Sequence, residues 1–595
     1  MYWRYFLWNF AGRQNDNLGQ GEIENGNWIT GIPFIDNVLI GDQTLLPDVL
    51  RNNKGRNVYF CLPLLLGIIG LCWQLNKGHK GWQQAAIIGI LFFMTGLAIV
   101  LYLNQTPDQV RERDYAYAGS FYAFAIWIGL GVAGITSFWE KHLHIKGASI
   151  LSLVICLLVP LQMVGQTWDD HDRSNRYTCR DFGQNYLNSV SAKGKPILFS
   201  YADNDSFPLW YNQEVEGIRT DVRVCNLSYL PTDWYIDQMR RPAYESPALP
   251  ISWTKADYIN GKNDVVRVQP ELKPIVEKFF RDHPQNAAKA FGKNPFELKN
   301  ILEHWVRNPQ LGQQVIPTDT ALIPIDKESL KRSGMKMPDS IPDYMEISFK
   351  DRSLLTKGDL MVYEILANSN WERPIYINTN LNKHLYLNLM DYFILEGLSY
   401  RISPFKNPQG GPIIDSDKLY DNLMHKFRYG GIEQPNIYLD ETSRRMCDSH
   451  RRLFVDLSTQ LLSEGQSKRA LEVLEYCEKV IPSTNVPHDF LYGKSKQMAD
   501  NYLKLNQPKQ AGNILAQLAN TSSQYIAWYL SLDNSRFIQS YENCVRHVYM
   551  LDEICKSFSV IKDLKTGKHC ESSEHYLQRF AELYQLFNER IKQFK

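Results

Sequence analysis

Four apolar runs lie within the first 170 residues of the chain, and no comparable run follows them. A helix needs roughly 20 mostly apolar residues to cross the hydrocarbon core of a bilayer, and none of the four runs contains Asp, Glu, Lys or Arg. Buried helices of a large soluble core are the alternative, but four runs in series, separated by short charged loops, favour the membrane. The sequence therefore predicts an α-helical membrane domain of four transmembrane helices over residues 57–166. The four runs are Val58–Leu75, Ala85–Leu103, Tyr117–Phe138 and Ala148–Val164.

The remaining chain is polar and brings the mean hydropathy of the whole down to -0.34. A net charge of +1 gives no argument for a nucleic-acid partner. The ten cysteines include no CxxC pair, so the sequence predicts neither a zinc site nor a disulfide framework. We therefore expect a membrane-lipid environment for the apolar part and no nucleic acid, metal or cofactor.

Composition divides the chain into four predicted segments. Residues 1–56 form an aromatic-rich interfacial or external segment, because Met1–Phe10 is dense in Trp and Tyr. After the membrane domain, residues 167–445 form a soluble α/β domain and residues 446–595 a tetratricopeptide-like helical region.

The short basic loops predict the orientation in the membrane. Lys77 and Lys80 follow the first apolar run, and Lys141 and Lys146 follow the third. The positive-inside rule places both loops in the cytoplasm. An inner-membrane, multi-pass protein with its C-terminal portion in the periplasm follows, although the basic residues just before the first run argue against this orientation.

Two charged clusters lie at the same predicted side of the membrane. One precedes the third apolar run and contains Arg111, Arg113 and Asp114. The other follows the fourth run, and its candidate site residues are Asp169, Asp170, His171 and Arg173. Either they are solvated turns with internal ion pairs, which contribute little to stability, or their arginines bind a lipid phosphate.

The third apolar run carries a small-residue face that would let transmembrane helices approach closely, with Gly119, Ala123 and Gly129 among its members. The same stretch contains a formal GxGxxG pattern over Gly129–Gly134. A dinucleotide site requires a strand before the glycines and a helix N-terminus after them, so we regard this match as spurious.

The soluble portion opens with a strand–helix–strand pattern. Pro196–Tyr201 and Asp221–Tyr229 are typical of strands, and the amphipathic stretch through Trp210 and Tyr211 between them completes the pattern of a parallel βαβ unit. A helix-like segment, Asp233–Arg240, follows the second strand. An acidic loop of Asp203, Asn204 and Asp205 follows the first strand, where open α/β sheets bind ligands. Its DxD pattern also occurs in cation-binding transferases, but helix capping is the favoured interpretation and we expect no divalent cation.

The region after His450 contains two degenerate copies of a helical repeat. One is aligned on Ala470 and the other on Ala511, at the packing positions of a tetratricopeptide repeat. Helical solenoids usually bind protein or peptide, so residues 446–595 are a candidate surface for an acceptor or partner protein. A purely supporting role remains the alternative.

Long strings of the chain resemble a bacterial multi-pass membrane family labelled a domain of unknown function. They are Arg111–Val132, Trp168–Arg173, Asp203–Gln238 and the opening Met1–Asp16. That family is grouped with the transmembrane protein O-mannosyltransferases of the GT-C glycosyltransferase superfamily. The resemblance implies transfer of sugar from a polyprenyl-phosphate donor to a protein hydroxyl outside the cytoplasm.

Longer members of the family carry a further multi-helix half that holds the catalytic carboxylate. We therefore expect this chain to be a C-terminal portion that joins an upstream membrane half, and no catalytic residue is carried over onto it. A membrane-anchored periplasmic scaffold without catalysis is the alternative function.

Overall fold

The computed structural model describes residues 2–106, 108–308, 314–335, 337–338, 340–561 and 571–593. The α-helices in chain order are α1 (Tyr2–Phe10), α2 (Pro33–Ile40), α3 (Asp48–Arg51), α4 (Leu62–Leu75), α5 (Gly78–Thr95), α6 (Leu97–Leu103), α7 (Ala118–Phe138), α8 (Ala148–His171), α9 (Thr178–Ser189), α10 (Ala202–Glu214), α11 (Asp233–Met239), α12 (Lys255–Tyr258), α13 (Lys273–Asp282), α14 (Pro284–Phe291), α15 (Leu298–Ile301), α16 (Lys327–Arg332), α17 (Lys357–Asn368), α18 (Ser416–Asp421), α19 (Glu441–Ser463), α20 (Ser467–Val480), α21 (Ser495–Lys504), α22 (Pro508–Leu530), α23 (Asn534–Gln539), α24 (Tyr541–Phe558) and α25 (Glu571–Lys592).

The strands are short and belong to four sheets. In chain order they are β1 (Gly12–Arg13), β2 (Asn57–Val58), β3 (Ile197–Ser200), β4 (Arg223–Asn226), β5 (Val265–Val268), β6 (Val315–Ile316), β7 (Thr320–Pro324), β8 (Tyr344–Ser348), β9 (Leu354–Thr356), β10 (Ile375–Asn378), β11 (Phe393–Leu395), β12 (Ser399–Ile402) and β13 (Ile413–Ile414).

The chain divides into two compact units. The first, called the apolar-helix unit, contains Met1–Arg176, Gln434–Asp448 and Pro482–Lys595. The second, called the α/β unit, contains Tyr177–Glu433 and Ser449–Ile481. Neither unit coincides with one of the four predicted segments, whose boundaries remain predictions.

Among the described residues, three helices are long and apolar enough to cross a membrane: Gly78–Leu103, Asp114–Leu143 and Ala148–His171. They correspond to the second, third and fourth apolar runs. These three helices are compatible with a membrane-associated protein.

The structure does not confirm the fourth membrane span that the first apolar run predicts. Phe60 and Cys61 adopt left-handed backbone conformations, with φ of 52° and 56°, so the helix begins only at Leu62. Pro63 occupies the first turn, where the missing N–H is tolerated. The resulting helix α4 has 14 residues and is shorter than the other three.

The aromatic segment at the start of the chain forms helix α1 and packs on α7. The rings of Tyr2 and Tyr117 lie 5.4 Å apart, and those of Phe6 and Phe124 lie 4.9 Å apart, both edge to face. Such ring pairs add to the stabilisation from burial alone. Most aromatic rings of α1 are therefore buried in protein, although Trp3 is more than half exposed. The GxGxxG glycines lie inside helix α7, so that pattern forms no nucleotide-binding turn.

The α/β unit is built on a six-stranded mixed sheet in the order β13-β11-β12-β10-β3-β4. Strand β3 pairs in parallel with β4 on one side and with β10 on the other. All residues of β3, β4 and β10 are buried, as expected for strands that are covered on both faces. The predicted parallel βαβ unit is confirmed, with helix α10 as its crossover.

The two smaller sheets of this unit are β6-β5-β9 and β7-β8, and their apolar faces join the same hydrophobic core. In the C-terminal part of the chain, the described residues form helices α19 to α25. Ala470 and Ala511, on which the two repeat copies were aligned, are both fully buried. The tetratricopeptide-like character of this region stays a prediction.

Candidate functional site

The two predicted charged clusters lie at the same end of the apolar helices. The first cluster lies just before helix α7. In the second cluster, Asp169, Asp170 and His171 lie in the last turn of α8, and Arg173 follows the helix. Both clusters bond to the N-terminal part of the chain, since Arg4 pairs with Glu112 and Asn57 donates to Asp170. All of these residues belong to the apolar-helix unit.

Glu112 anchors the first cluster to helix α1. Its carboxylate lies 2.7 Å from the Arg4 guanidinium, accepts a hydrogen bond of 2.6 Å from the Tyr5 hydroxyl and accepts another from the backbone N–H of Gly19. Burial, together with this carboxylate, raises the pKa of Tyr5 to about 12. The sequence did not single out Glu112, because its partners lie about a hundred residues earlier in the chain.

Because Glu112 pairs with Arg4, the arginines on either side of it lack a carboxylate. Arg111 is exposed, and Arg113 is half-buried with a buried Nε atom that has no hydrogen-bond partner. Within the described ranges, neither guanidinium has a carboxylate at ion-pair distance. Asp114 begins the 3-10 turn Asp114–Tyr117, which leads into α7.

Asp170 is the buried member of the second cluster. Its carboxylate accepts a hydrogen bond of 2.9 Å from Asn57 Nδ2 and lies 2.6 Å from Nδ1 of the exposed His171. Arg173 donates to the Asp170 carbonyl oxygen, and its guanidinium lies 4.7 Å from the centre of the Tyr438 ring. Asp169 is exposed.

The Tyr438 hydroxyl donates to Asp16 Oδ2 at 2.6 Å, and Asn53 Nδ2 donates to the other carboxylate oxygen at 2.8 Å. Burial and the carboxylate of Asp16 raise the pKa of Tyr438. Asp16 and Tyr438 therefore extend the polar surface that begins at Asp170.

Arg13 is a further cation in the apolar-helix unit, and no local sequence pattern points to it. It lies in strand β1, which pairs antiparallel with β2 so that Arg13 is opposite Asn57. Its guanidinium lies 4.3 Å from the centre of the Trp8 ring, and its buried Nε atom has no hydrogen-bond partner. Among the described residues, no carboxylate lies within ion-pair distance of Arg13.

An apolar groove of about 210 Å³ lies among helices α4, α7 and α8. Phe10, three residues before Arg13, lines the groove. Its other lining residues are Pro63, Leu66, Ile128, Gly129, Val132, Leu153, Cys156, Leu157, Val159, Pro160 and Met163.

The predicted acidic loop is part of a helix. Asp203, Asn204 and Asp205 form the first turn of α10, after a sharp turn at Ala202, whose φ is 57°. Burial raises the pKa of Asp205 to about 6, and neighbouring Asn378 opposes the rise. Asp203 is exposed and accepts a hydrogen bond of 3.2 Å from Tyr229.

The acidic turn and the arginine clusters belong to different units, and the structure therefore provides two separate candidate sites. Within the part of the chain that the structure describes, no group of three or more His, Cys, Asp or Glu side chains could hold a metal ion. The expectation that no divalent cation binds the acidic turn stays a prediction.

Comparison with known protein families matches part of the α/β unit. Residues 179–420 match the family model described as TMEM260-associated domain 2, a family of domains of unknown function. No curated protein and no solved structure matches the chain. The match covers strands β3 to β13 and the acidic turn, and it leaves the apolar helices outside. Over these residues, the chain is similar to a family without an assigned activity.

Proposed function

We propose that this chain binds a polyprenyl-phosphate sugar at one end of its apolar helices and takes part in transferring the sugar to a protein hydroxyl. The observation that carries the proposal is the position of Arg13. Its guanidinium has no carboxylate partner among the described residues, and Phe10, three residues earlier, lines the apolar groove. Arg13 therefore lies close along the chain to a residue that lines the groove, and a cation together with an apolar groove would suit the two ends of a phospholipid-like carrier.

The guanidinium suits the phosphate end of the carrier. Arginine forms paired hydrogen bonds with phosphate, and bonds between charged groups are stronger than those between neutral groups. Arg111 and Arg113 also have no carboxylate partner in the part of the chain that the structure describes, and they lie at the same end of the helices. A phosphate bound there would satisfy buried N–H groups that now have no acceptor, such as Nε of Arg113.

The groove suits the prenyl chain. Between membrane helices, close packing favours an occupant more than release of water does, because lipid tails are as apolar as the groove. The groove is lined by side chains of Leu, Ile, Val, Met, Pro, Cys and Phe and by Gly129. An unbranched acyl chain and a methyl-branched prenyl chain differ in shape, so binding assays can separate them.

The chemistry needs two kinds of group. A carboxylate base activates the acceptor hydroxyl, and cations stabilise the charge that develops on the departing phosphate. We assign the cationic role to Arg13, Arg111 and Arg113 and no residue to the role of base. The resemblance of Arg111–Val132 and Trp168–Arg173 to a bacterial family that is grouped with the GT-C glycosyltransferases supports this assignment, because both strings contribute to this end of the helices.

The proposal includes an orientation. The arginine end would face the periplasm, with the basic residues Lys77, Lys80 and Lys141 on the cytoplasmic side, as the positive-inside rule favours. The α/β unit would then lie outside the cytoplasm, where an acceptor protein is available.

Binding of undecaprenyl phosphate to the full chain in phosphatidylcholine nanodiscs tests the proposal. We expect Arg13→Gln to weaken binding by about tenfold or more, and Arg13→Lys to weaken it less, because lysine keeps the charge but not the paired geometry. The matched control is Lys141→Gln, which removes an exposed charge from the other end of helix Asp114–Leu143. Native mass spectrometry counts the bound lipid in each sample.

Undecaprenol, which lacks the phosphate, separates the two halves of the site. We expect it to bind weakly to the original chain and to be unaffected by Arg13→Gln. Equal affinity of the original chain and Arg13→Gln for undecaprenyl phosphate would contradict the proposal. In that case the periplasmic scaffold, with residues 446–595 as its partner-binding surface, becomes the better interpretation.

A further inference from the structure

A row of aromatic side chains lies on the surface of the α/β unit beside the acidic turn. The ring centres of Phe207 and Trp210 are 5.3 Å apart, those of Trp210 and Tyr229 are 6.4 Å apart, and those of Tyr229 and Trp234 are 5.8 Å apart. Phe207 is 55% exposed and Trp234 is 54% exposed. We call these four residues, with Asp203 and Asn204, the aromatic platform.

The fold holds the platform rigidly at one edge of the sheet. Phe207 and Trp210 belong to α10, which follows β3, and Trp234 belongs to α11, which follows β4. Because β3 and β4 are parallel, both helices begin at the same edge. Tyr235, the neighbour of Trp234, is buried, and its hydroxyl accepts a hydrogen bond of 2.8 Å from the N–H of Asn226 at the end of β4.

One carboxylate on the platform is available to a ligand. Asp203 is exposed, and Oδ1 accepts the hydroxyl of Tyr229, whose ring stacks on Trp210 at an interplanar angle of 15°. Within the described residues, no cation pairs with Asp203. By contrast, Asp233 and Asp237 near Trp234 both pair with Lys255. The platform therefore combines apolar ring faces with one acidic acceptor and the exposed amide of Asn204.

A small cavity of about 80 Å³ adjoins Trp210 on the side of β4. Arg223 lines it, is 5% exposed, and has a buried Nε atom without a hydrogen-bond partner. Its Nη2 atom donates to two backbone carbonyl oxygens, and no carboxylate pairs with it among the described residues. A buried, unsatisfied donor next to an aromatic surface is the kind of group that a ligand hydroxyl would satisfy.

The geometry points to a saccharide-binding site: we propose that the aromatic platform binds a pyranose ring of a neutral saccharide. One face of a pyranose presents C–H groups that pack on an indole or phenol ring, and its hydroxyls both donate and accept hydrogen bonds. Asp203 would accept from two hydroxyls, and Asn204 would donate to a third. The acidic charge disfavours an anionic membrane surface as the occupant.

This inference rests on the proposed function in one respect, because a sugar-transferring protein has a saccharide substrate or product to hold. It assigns that role to the α/β unit, whereas the lipid phosphate binds the apolar-helix unit. The two proposals therefore involve different residues and can fail independently.

Saturation-transfer NMR with the full chain in nanodiscs tests the platform, since nanodiscs avoid glycoside detergents that would compete. The probes are mannobiose, cellobiose and N,N′-diacetylchitobiose at millimolar concentrations. We expect at least one probe to bind, and Trp234→Ala and Asp203→Ala each to weaken its binding by about tenfold or more. Both side chains are exposed, so thermal unfolding should be unchanged.

Tyr344→Ala is the matched control, because Tyr344 is an exposed aromatic residue on strand β8, in a different sheet of the same unit. We expect it to leave saccharide affinity within about twofold. The inference is overturned if no probe binds, or if the probes bind Trp234→Ala as tightly as the original chain. It is also overturned if an oligolysine peptide, but no saccharide, depends on Trp234 and Asp203, which would indicate a cation site.

The two sites are distinguished by measuring undecaprenyl phosphate binding on the same samples. Trp234→Ala should bind the lipid normally, and Arg13→Gln should bind the saccharide normally. If the original chain binds undecaprenyl phosphate but none of the saccharide probes, this inference is overturned and the proposed function stands.

Discussion

Gly70 of helix α4 and Gly131 of helix α7 meet at a crossing that leaves no room for a side chain on either. A Cβ atom on Gly70 would lie 2.6 Å from the backbone nitrogen of Gly131, and a Cβ atom on Gly131 would collide with the carbonyl oxygen of Leu66. Such contacts between backbones cannot be relieved by moving a flexible side chain. The two helices are therefore held at the shortest distance that their backbones allow.

Gly131→Ala should destabilise the apolar-helix unit, because the added methyl group forces the two helices apart. Overpacking of this kind costs about 1–3 kcal/mol, so we expect a clear fall in the thermal unfolding midpoint of the protein in detergent. Gly129→Ala is the control, since a Cβ atom at Gly129 meets nothing within 4 Å. Equal midpoints for the two variants would contradict the described crossing.

Glu112→Ala should weaken the packing of helix α1 against the segment that precedes α7, because Glu112 contacts Arg4 and Tyr5 of α1. It removes the partner of Arg4 and leaves a largely buried guanidinium unpaired, which costs about 3 kcal/mol when such a pair is broken on one side. We expect a lower thermal unfolding midpoint and faster proteolysis between helices α6 and α7. Glu140→Ala, an exposed glutamate at the other end of helix Asp114–Leu143, should change neither. A stable Glu112→Ala variant would show that the pair is energetically unimportant.

Asp205 should make the α/β unit less stable as the pH rises. Burial raises the pKa of Asp205 from 3.8 to about 6, so the folded state holds its proton over a range in which the unfolded chain releases it. Stability is then fully present below pH 4 and is lost as the pH rises through 6. At pH 7.5, Asp205→Asn should increase the free energy of unfolding by up to about 3 kcal/mol and so raise the thermal unfolding midpoint. At pH 4, it should leave the midpoint nearly unchanged.

The control for this prediction is Asp203→Asn, because Asp203 is exposed and lies in the same helical turn. Thermal unfolding of the full chain at a series of pH values gives the comparison. A pH-independent difference between Asp205→Asn and the original chain would exclude the carboxyl of Asp205 as the titrating group.

His547 should act in the opposite direction. Its ring stacks on Tyr525 with centres 4.4 Å apart, and burial, together with nearby Arg546, lowers the pKa of His547 from 6.5 to about 4. The neutral imidazole is favoured in the folded state, so its stability contribution is present above pH 6.5 and is lost as the pH falls toward 4. His547→Phe should reduce this acid sensitivity, whereas His171→Phe, at an exposed position, should not. Circular dichroism melts between pH 4 and 7 measure both.

Sequence patterns were sufficient where structure depends on neighbouring residues. Long apolar runs predict the helices Gly78–Leu103, Asp114–Leu143 and Ala148–His171, because the length needed to cross a membrane is a local property. For the first run, the same rule predicts a longer helix than the structure has, because hydropathy does not reveal the left-handed backbone conformations at Phe60 and Cys61. The parallel strands β3 and β4 were also predictable, because a buried strand, a crossover helix and a second strand follow one another directly.

The candidate sites were only partly predictable, because their contacts join distant parts of the chain. The sequence shows Arg111 and Arg113 as part of a charged cluster. It does not show that Glu112, which lies between them, forms its ion pair with Arg4 instead. Arg13 has no local signal at all, since its position depends on pairing with β2. Of the aromatic platform, only the acidic residues can be predicted from the sequence. The stacking of Tyr229 on Trp210 cannot, because it requires β3 and β4 to be paired.

The pairing of β3 with β10 has a consequence for biosynthesis. Ile197 lies beside Ile375, and most of the segment similar to the family model separates these two positions along the chain. The middle of the largest sheet therefore cannot close until the ribosome has made well over half of the α/β unit. Until then, the exposed edge of β3 is open to wrong partners, so truncation before β10 should produce aggregation rather than a smaller stable fold.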